Sequence, residues 1–194
     1  SAHLLDPARL SALRAVALLD TPTEESFDRL SWLAARFVDV PVALVTLVDA
    51  DRQFFKSCIG LPEPWRSRRE TPLSHSFCQH NRTAGQPLRI EDARIHPLLK
   101  DNPAIRDLNV IAYLGIPLAT SDGYILGSFC VIDSKPRRWA EEEVAVVQNL
   151  AAAVMTEIQL RTEIAARHQA EGGRDSFAQL NARQRAEISP SKQA

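Results

Sequence analysis

Val40-Pro41-Val42-Ala43-Leu44-Val45-Thr46-Leu47-Val48-Asp49 is apolar at odd and even positions alike and rich in β-branched residues. A half-exposed strand alternates apolar and polar residues with a period of two, and this one does not, so it predicts a strand covered on both faces. The rest of the chain must therefore supply two covers. Asp49-Ala50-Asp51 reads as a turn and Arg52 to Gly60 as the returning partner strand.

Two helices precede the strand. Residues 7–19 put Leu10, Leu13, Ala17 and Leu18 on helical spacing behind Asp6 and Pro7. Asp20-Thr21-Pro22 breaks that helix, and a second opens at Thr23, with Phe27, Leu30, Leu33, Ala34 and Phe37 expected on one face. Beyond Gly60 the chain turns irregular. Residues 60–70 hold Pro62, Pro64, Arg66, Arg68 and Arg69 and predict an exposed loop; 72–81 predicts a short helix, and Leu88 to Ile90 a brief strand. Val110 to Ala119 and Tyr124 to Asp133, joined by Thr120-Ser121-Asp122-Gly123, form the strongest hairpin signal, with Pro117 expected at an edge or bulge. Trp139 to Arg167 predicts a long helix ended by Gly172-Gly173. Strands grouped in hairpins with helices at both ends define an antiparallel α+β domain.

Composition narrows the function. Lys and Arg number 23 against 24 Asp and Glu, which leaves no excess of basic residues for a nucleic-acid footprint. The longest apolar runs are too short for a membrane span, and Ser1-Ala2-His3 starts no secretory signal. Cys58, Cys78 and Cys130 are odd in number and lack CxxC spacing, which predicts reduced thiols and a cytoplasmic setting.

Many separated segments resemble one family, the bacterial GAF domains. They are Leu19-Asp20-Thr21-Pro22, Phe27-Asp28, Pro41 to Val45, Val48 to Lys56, Gly60-Leu61, Glu70-Thr71-Pro72, Ser76-Phe77-Cys78 and His80. The pattern continues through Asp92-Ala93, Asn102-Pro103, Tyr113 to Leu118 and Leu126 to Asp133, and covers about residues 10–160. The resemblance implies a central antiparallel sheet with helices on one face and a ligand-sized cavity under loops on the other. It implies a non-catalytic sensory module at the front of a signalling protein such as a two-component kinase, a cyclase or a phosphatase. Carried over by position, the pocket is expected at His75, Ser76, Phe77, Cys78, Asp92, Tyr113 and Phe129. The expected division is an N-terminal helix over 1–22, a GAF core over 23–156, an extended signalling helix over 157–171 and a polar linker or tail over 172–194.

Rival readings remain beside that one. His75, Cys78 and His80 lie within six residues, but their spacing fits no structural zinc pattern. Family members that carry a bilin resemble one another through a cysteine followed directly by His, whereas Gln79 follows Cys78 here. No GxSxG, GxGxxG or Walker sequence accompanies the serines or glycines, so no catalytic residue, metal, haem or nucleotide cofactor is assigned. A thiol-redox role for Cys78 would need a second thiol nearby. Arg66, Arg68 and Arg69 form either an anion site or a solvated basic loop. The terminal helix is expected to pair with a second copy as a coiled coil through Val147, Ala151, Val154, Ile158 and Arg161. The alternative to a small-molecule sensor is a constitutive dimerisation module whose cavity is filled by Phe54, Phe55, Phe77, Phe129 and Tyr113.

Overall fold

The structure, a computed structural model, describes residues 2–81 and 83–188. Two units divide the chain, 1–158 and 159–194. The first contains a six-stranded antiparallel sheet in the order β3-β2-β1-β6-β5-β4. The strands are β1 (Val42–Val48), β2 (Arg52–Ile59), β3 (Glu70–Pro72), β4 (Leu88–Ile90), β5 (Ala112–Ala119) and β6 (Ile125–Asp133). The helices are α1 (Pro7–Ala15), α2 (Glu25–Val38), the single turns α3 (Trp65–Arg68) and α4 (Ala104–Asp107), and α5 (Glu141–Ile188).

The strand that opened the sequence reading is central, hydrogen-bonded to β2 on one side and β6 on the other. Its alternation separates two cores. Ala43, Val45 and Leu47 join a cluster with Leu13, Phe27, Ala34 and Val38 of the N-terminal helices and Val144, Val147, Ala151, Val154 and Ile158 of α5. Val42, Leu44 and Val48 join a second cluster built from the irregular middle, including Leu61, Phe77, Leu99, Ala104 and Leu108. The two covers demanded by an all-apolar strand are thus helices on one face and loops on the other.

Local chemistry sets the helix ends. Asp6 accepts a hydrogen bond from the Ala8 amide at 2.9 Å and Pro7 occupies the first turn of α1. α2 ends on Asp39 in the left-handed region (φ 55°), with the Val40 amide bonded back to the Ala35 carbonyl. At the start of α5 the Glu143 side chain accepts from the Ala140 amide, and Glu141, Glu142 and Glu143 face the positive end of the helix dipole. Gly123 (φ 85°) completes the β5–β6 turn as expected. Pro117 lies opposite Ser128 of β6, past the stretch of β5 that pairs with β4, so its missing N–H breaks no ladder.

Several expectations need correction. The buried stripe of α2 is Phe27, Ser31, Ala34, Ala35 and Val38, while Phe37 is 72% exposed and Trp32 51%. Small residues at 31, 34 and 35 let the helix approach the sheet closely, which turns Phe37 outward. The segment 72–81 forms two 3₁₀ turns, Leu73–His75 and Cys78–His80, and not one helix. The loop after Gly60 contains α3 and the edge strand β3.

The last helix differs most. α5 runs through Gly172-Gly173 to Ile188, where a linker was expected; residues 189–194 of that expected tail lie outside the described residues. Each glycine costs a helix only about 1 kcal/mol relative to alanine, and the neighbouring Ala, Glu, Gln, Arg and Leu are strong helix formers. Among the described residues no helix is long and apolar enough to cross a membrane.

Candidate functional site

The loop-side core encloses a cavity of about 20 Å³, room for roughly one water molecule. Its lining divides by chemistry. Leu44, Phe55, Leu61, Phe77, Leu108, Val110 and Ile132 are apolar, whereas Gln53, His75, Cys78, Tyr113 and Cys130 carry polar atoms or thiols. Of the residues expected in the pocket, His75, Phe77, Cys78 and Tyr113 line it. Ser76 is fully buried beside it, its hydroxyl donating a short hydrogen bond to Gln53 Oε1 and accepting from the Gln79 amide at 3.2 Å.

Two expected residues lie elsewhere. Asp92 caps the 3₁₀ turn Ala93–Ile95, accepts from the Arg94 amide at 3.0 Å and pairs with the Arg94 guanidinium at 2.7 Å. Phe129 points into the helix-side core, because from Phe129 to Ile132 the odd-numbered β6 positions face the helices and the even-numbered ones the loops. Period two along β6 is the signal that selects Ser128, Cys130 and Ile132 instead. Of the aromatic residues expected to fill the cavity, Phe54 and Phe129 belong to the helix-side core and Phe55, Phe77 and Tyr113 to the loop-side core.

A buried polar cluster forms one wall. The Tyr113 hydroxyl donates to Cys78 Sγ at 3.2 Å and accepts from Asn81 Nδ2 at 3.3 Å. The same amide nitrogen donates to Ser128 Oγ at 2.5 Å, while Asn81 Oδ1 is buried without a partner. Thr46 Oγ1 donates to the Ser128 carbonyl at 2.9 Å and accepts from the Ser128 amide at 3.2 Å. Asn81 also borders a second small cavity, of about 20 Å³, with Leu4, Arg9, Cys78 and Gln79. There the Arg9 guanidinium bonds the carbonyls of Leu4, Val48 and Ile125 and so ties α1 to the sheet.

The three thiols are free and differ in character. Burial pushes the Cys58 thiol up to about 11. Burial also opposes the Cys78 thiolate, but hydrogen bonds from Cys130, Thr46, Tyr113 and Ser128 outweigh it and hold this thiol down at about 7. The Thr46 proton is committed to the Ser128 carbonyl, and the hydrogen bond that the geometry gives at the sulfur is that of the Tyr113 hydroxyl. Cys130 and Tyr113, buried among these same groups, are raised and stay protonated.

The lid over the cavity is latched. His75 Nε2 lies 3.1 Å from Asp107 Oδ2 in α4, its Nδ1 lies 3.0 Å from Ser74 Oγ, and its ring packs on Trp65 of α3. His75, Cys78 and His80 do not converge, and among the described residues no three His, Cys, Asp or Glu side chains meet as metal ligands would. The basic loop is structural at Arg69, which bonds the carbonyls of Thr21, Phe55 and Lys56.

The fold agrees with comparisons to known proteins. The GAF domain family profile matches residues 22–158, and the chain belongs to that family. A cyclic di-GMP phosphodiesterase of Pseudomonas aeruginosa is 35% identical over 145 residues, which span 74% of this chain and 24% of the relative. The chain therefore corresponds to about a quarter of that protein. Among solved structures, the GAF domain of an Acinetobacter phosphoenolpyruvate-protein phosphotransferase superposes with a TM-score of 0.58 at 17% identity, covering 84% of this chain and 99% of that one. The blue-light absorbing form of the Thermosynechococcus elongatus PixJ GAF domain gives 0.57 at 18% identity, covering 87% and 96%. At such identities these two structures establish the fold alone.

Proposed function

We propose that the chain is a non-catalytic regulatory input module that works as a cytoplasmic homodimer and acts on a downstream effector through α5. The observation that carries this reading is the double role of α5. Val144, Val147, Ala151, Val154 and Ile158 are core residues of the sheet domain, and the same helix continues well past them. A change in sheet packing therefore acts directly on an element that leaves the domain. The relative in cyclic di-GMP breakdown favours an effector of cyclic-dinucleotide turnover, with a kinase or a phosphatase as the remaining classes.

Another face of α5 supports the dimer better than the one expected at Val147, Ala151, Val154, Ile158 and Arg161. Val147, Ala151, Val154 and Ile158 are at most 3% exposed within the domain itself, so they have no surface to offer a partner. In the sequence of α5, Val146, Leu150, Ala153, Glu157, Leu160 and Ile164 recur at alternating spacings of four and three, and none is fully buried. That is the heptad pattern of a coiled-coil seam, with Glu157 as its polar interruption.

A cavity with room for about one water favours a second reading, a dimerisation module that binds no ligand. In the sensor reading, a small molecule enters only by parting the latch between His75, Trp65 and Asp107. Native mass spectrometry with an absorption spectrum on the same sample separates the two. A dimer carrying a copurified small molecule supports the sensor; a bare dimer supports the dimerisation module; a monomer at all concentrations overturns both.

A further inference from the structure

We propose that Cys78 and Cys130 form an oxidant-reactive thiol pair, in which a peroxide no larger than hydrogen peroxide oxidises Cys78 and Cys130 then closes an intramolecular disulfide. Four observations converge. Both cysteines line the same cavity, one on the 3₁₀ turn Cys78–His80 and the other on β6, and both are free thiols. The turn that carries Cys78 packs against β6, which carries Cys130, and both side chains belong to the same buried cluster. The Tyr113 hydroxyl donates to that sulfur at 3.2 Å and is itself held by Asn81, an arrangement that favours the thiolate, the form that attacks a peroxide. Finally, the unpartnered Asn81 Oδ1 is an acceptor for a peroxide O–H or for the water released, at a cavity that Cys78 also borders.

The chemistry balances in two steps. The Cys78 thiolate attacks one oxygen of hydrogen peroxide, the O–O bond breaks, and the products are Cys78 sulfenic acid and hydroxide, which takes a proton to become water. Cys130 sulfur then attacks Cys78 sulfur, the S–O bond breaks, and the Cys130 proton leaves with the departing oxygen as a second water. Two thiols lose two electrons and one peroxide gains them. Cavity size selects the oxidant: each space is about 20 Å³, so a molecule little larger than water fits and an alkyl or aryl hydroperoxide does not. Cys58 takes no part, since burial holds it in the protonated, unreactive form.

The test uses the full chain treated with hydrogen peroxide, followed by intact-mass measurement and peptide mapping. The expected result is a loss of two hydrogens per chain and a peptide joining Cys78 to Cys130, with Cys58 still a thiol. Cys130→Ser should trap Cys78 as a sulfenic acid, read as a gain of one oxygen in the intact mass, and Cys78→Ser should abolish the crosslink. Tyr113→Phe, which removes one hydrogen bond to the sulfur, should slow the reaction roughly tenfold while the crosslinked product stays the same. Cumene hydroperoxide should react at least tenfold more slowly than hydrogen peroxide. Oxidation of Cys58 ahead of the pair, an intermolecular disulfide, or a pair that stays reduced while a control thiol is consumed would each overturn the proposal. Equal rates with cumene hydroperoxide would overturn the size selection. The dimer plays no part in the chemistry, so a variant made monomeric at Leu160 and Ile164 should oxidise at the same rate; failure of the dimer reading and failure of this one are thereby distinguished.

Discussion

Replacing Gly115 by alanine should damage the polar cluster more than its distance from either cysteine would indicate. Tyr113 and Gly115 lie two residues apart on β5 and face the same side, and the phenol ring lies over the glycine. A Cβ at position 115 would sit 2.2 Å from the Tyr113 hydroxyl oxygen and 2.6 Å from two ring carbons. Ordinary contacts are about 3.5–4.0 Å, so the ring must move by roughly 1 Å or more. It has little room: Tyr113 is 1% exposed and its ring centroid lies 5.5 Å from that of Phe77. Overpacking of this kind costs about 1–3 kcal/mol. Moving the hydroxyl also strips Cys78 of a donor and Asn81 of an acceptor, for about 1–3 kcal/mol more. The sum centres near 4 kcal/mol, about 8–16 °C in Tm for a domain of this size. Urea unfolding of wild type, Gly115→Ala, Tyr113→Leu and the double variant measures it as a cycle. With the ring gone the added methyl meets open space, so Gly115→Ala should cost under about 1 kcal/mol in the Tyr113→Leu background. Equal costs in the two backgrounds would refute the reasoning.

Other consequences are open to direct measurement. Lys56 is fully buried, and its ammonium donates to Thr21 Oγ1 at 2.8 Å, to the Pro22 carbonyl at 2.7 Å and to Glu24. Lys56→Met keeps the stem but removes the bonds that hold the α1–α2 linker, so urea unfolding should show a loss of about 2–4 kcal/mol; under 0.5 kcal/mol would refute that role. Oxidation of the folded chain by hydrogen peroxide, read by peptide mapping, should separate the thiols by pH. The Cys78 rate should rise through about pH 7 and level off above 8, while Cys58, held at about 11, still rises at pH 10. Facing Cys78, Tyr113 and Cys130 stay protonated over that range, with His75 in the same cavity and Arg9 at the adjoining one. A folded-state thiol below the unfolded value of about 8.5 also adds stability that is present above that value and fades as pH falls through about 7. In light scattering, Leu160→Glu with Ile164→Glu should yield monomers with an unchanged Tm for the domain, whereas Val154→Asp should unfold it; dimers surviving the first pair would exclude this seam.

How far the sequence could be read depended on which physical signal was local. The all-apolar run at 40–49 and the Asp-Gly turn at 122–123 predict the sheet because pleat and turn geometry act over a few residues. The pocket was legible only in part. Cys78 and Phe77 came from position in a family pattern, but Phe129 was placed on the wrong side although alternation along β6 decides its side. Gln53, Asn81 and Ser128 carry no motif; they become a cluster only when β2, β6 and the turn at 78–81 meet. Long-range packing also explains why the α2 stripe was rotated: side-chain size at Ser31, Ala34 and Ala35, not hydrophobicity at Leu33 and Phe37, decides which side fits the sheet. The same reason takes Val147, Ala151, Val154 and Ile158 out of the proposed dimer seam, since periodicity shows that a face is apolar without showing what covers it.

β6 joins the two halves of the functional reading. Cys130 faces the loop side with Ser128 and Ile132, while Phe129 and Val131, its immediate neighbours, face the core that α5 helps to form. Successive residues of a strand share one rigid backbone, so a force that draws Cys130 toward Cys78 also shifts two side chains of the core to which Val147 and Val154 belong. Because β6 is hydrogen-bonded to both β1 and β5, it cannot yield by leaving the sheet. The least constrained response lies on the helix side, where α5 meets the sheet through side chains alone and can change its packing without breaking a ladder hydrogen bond. A water-sized cavity is then no obstacle to the proposed regulatory role: the event proposed to bias α5 need only be as large as one covalent bond at the sheet's opposite face.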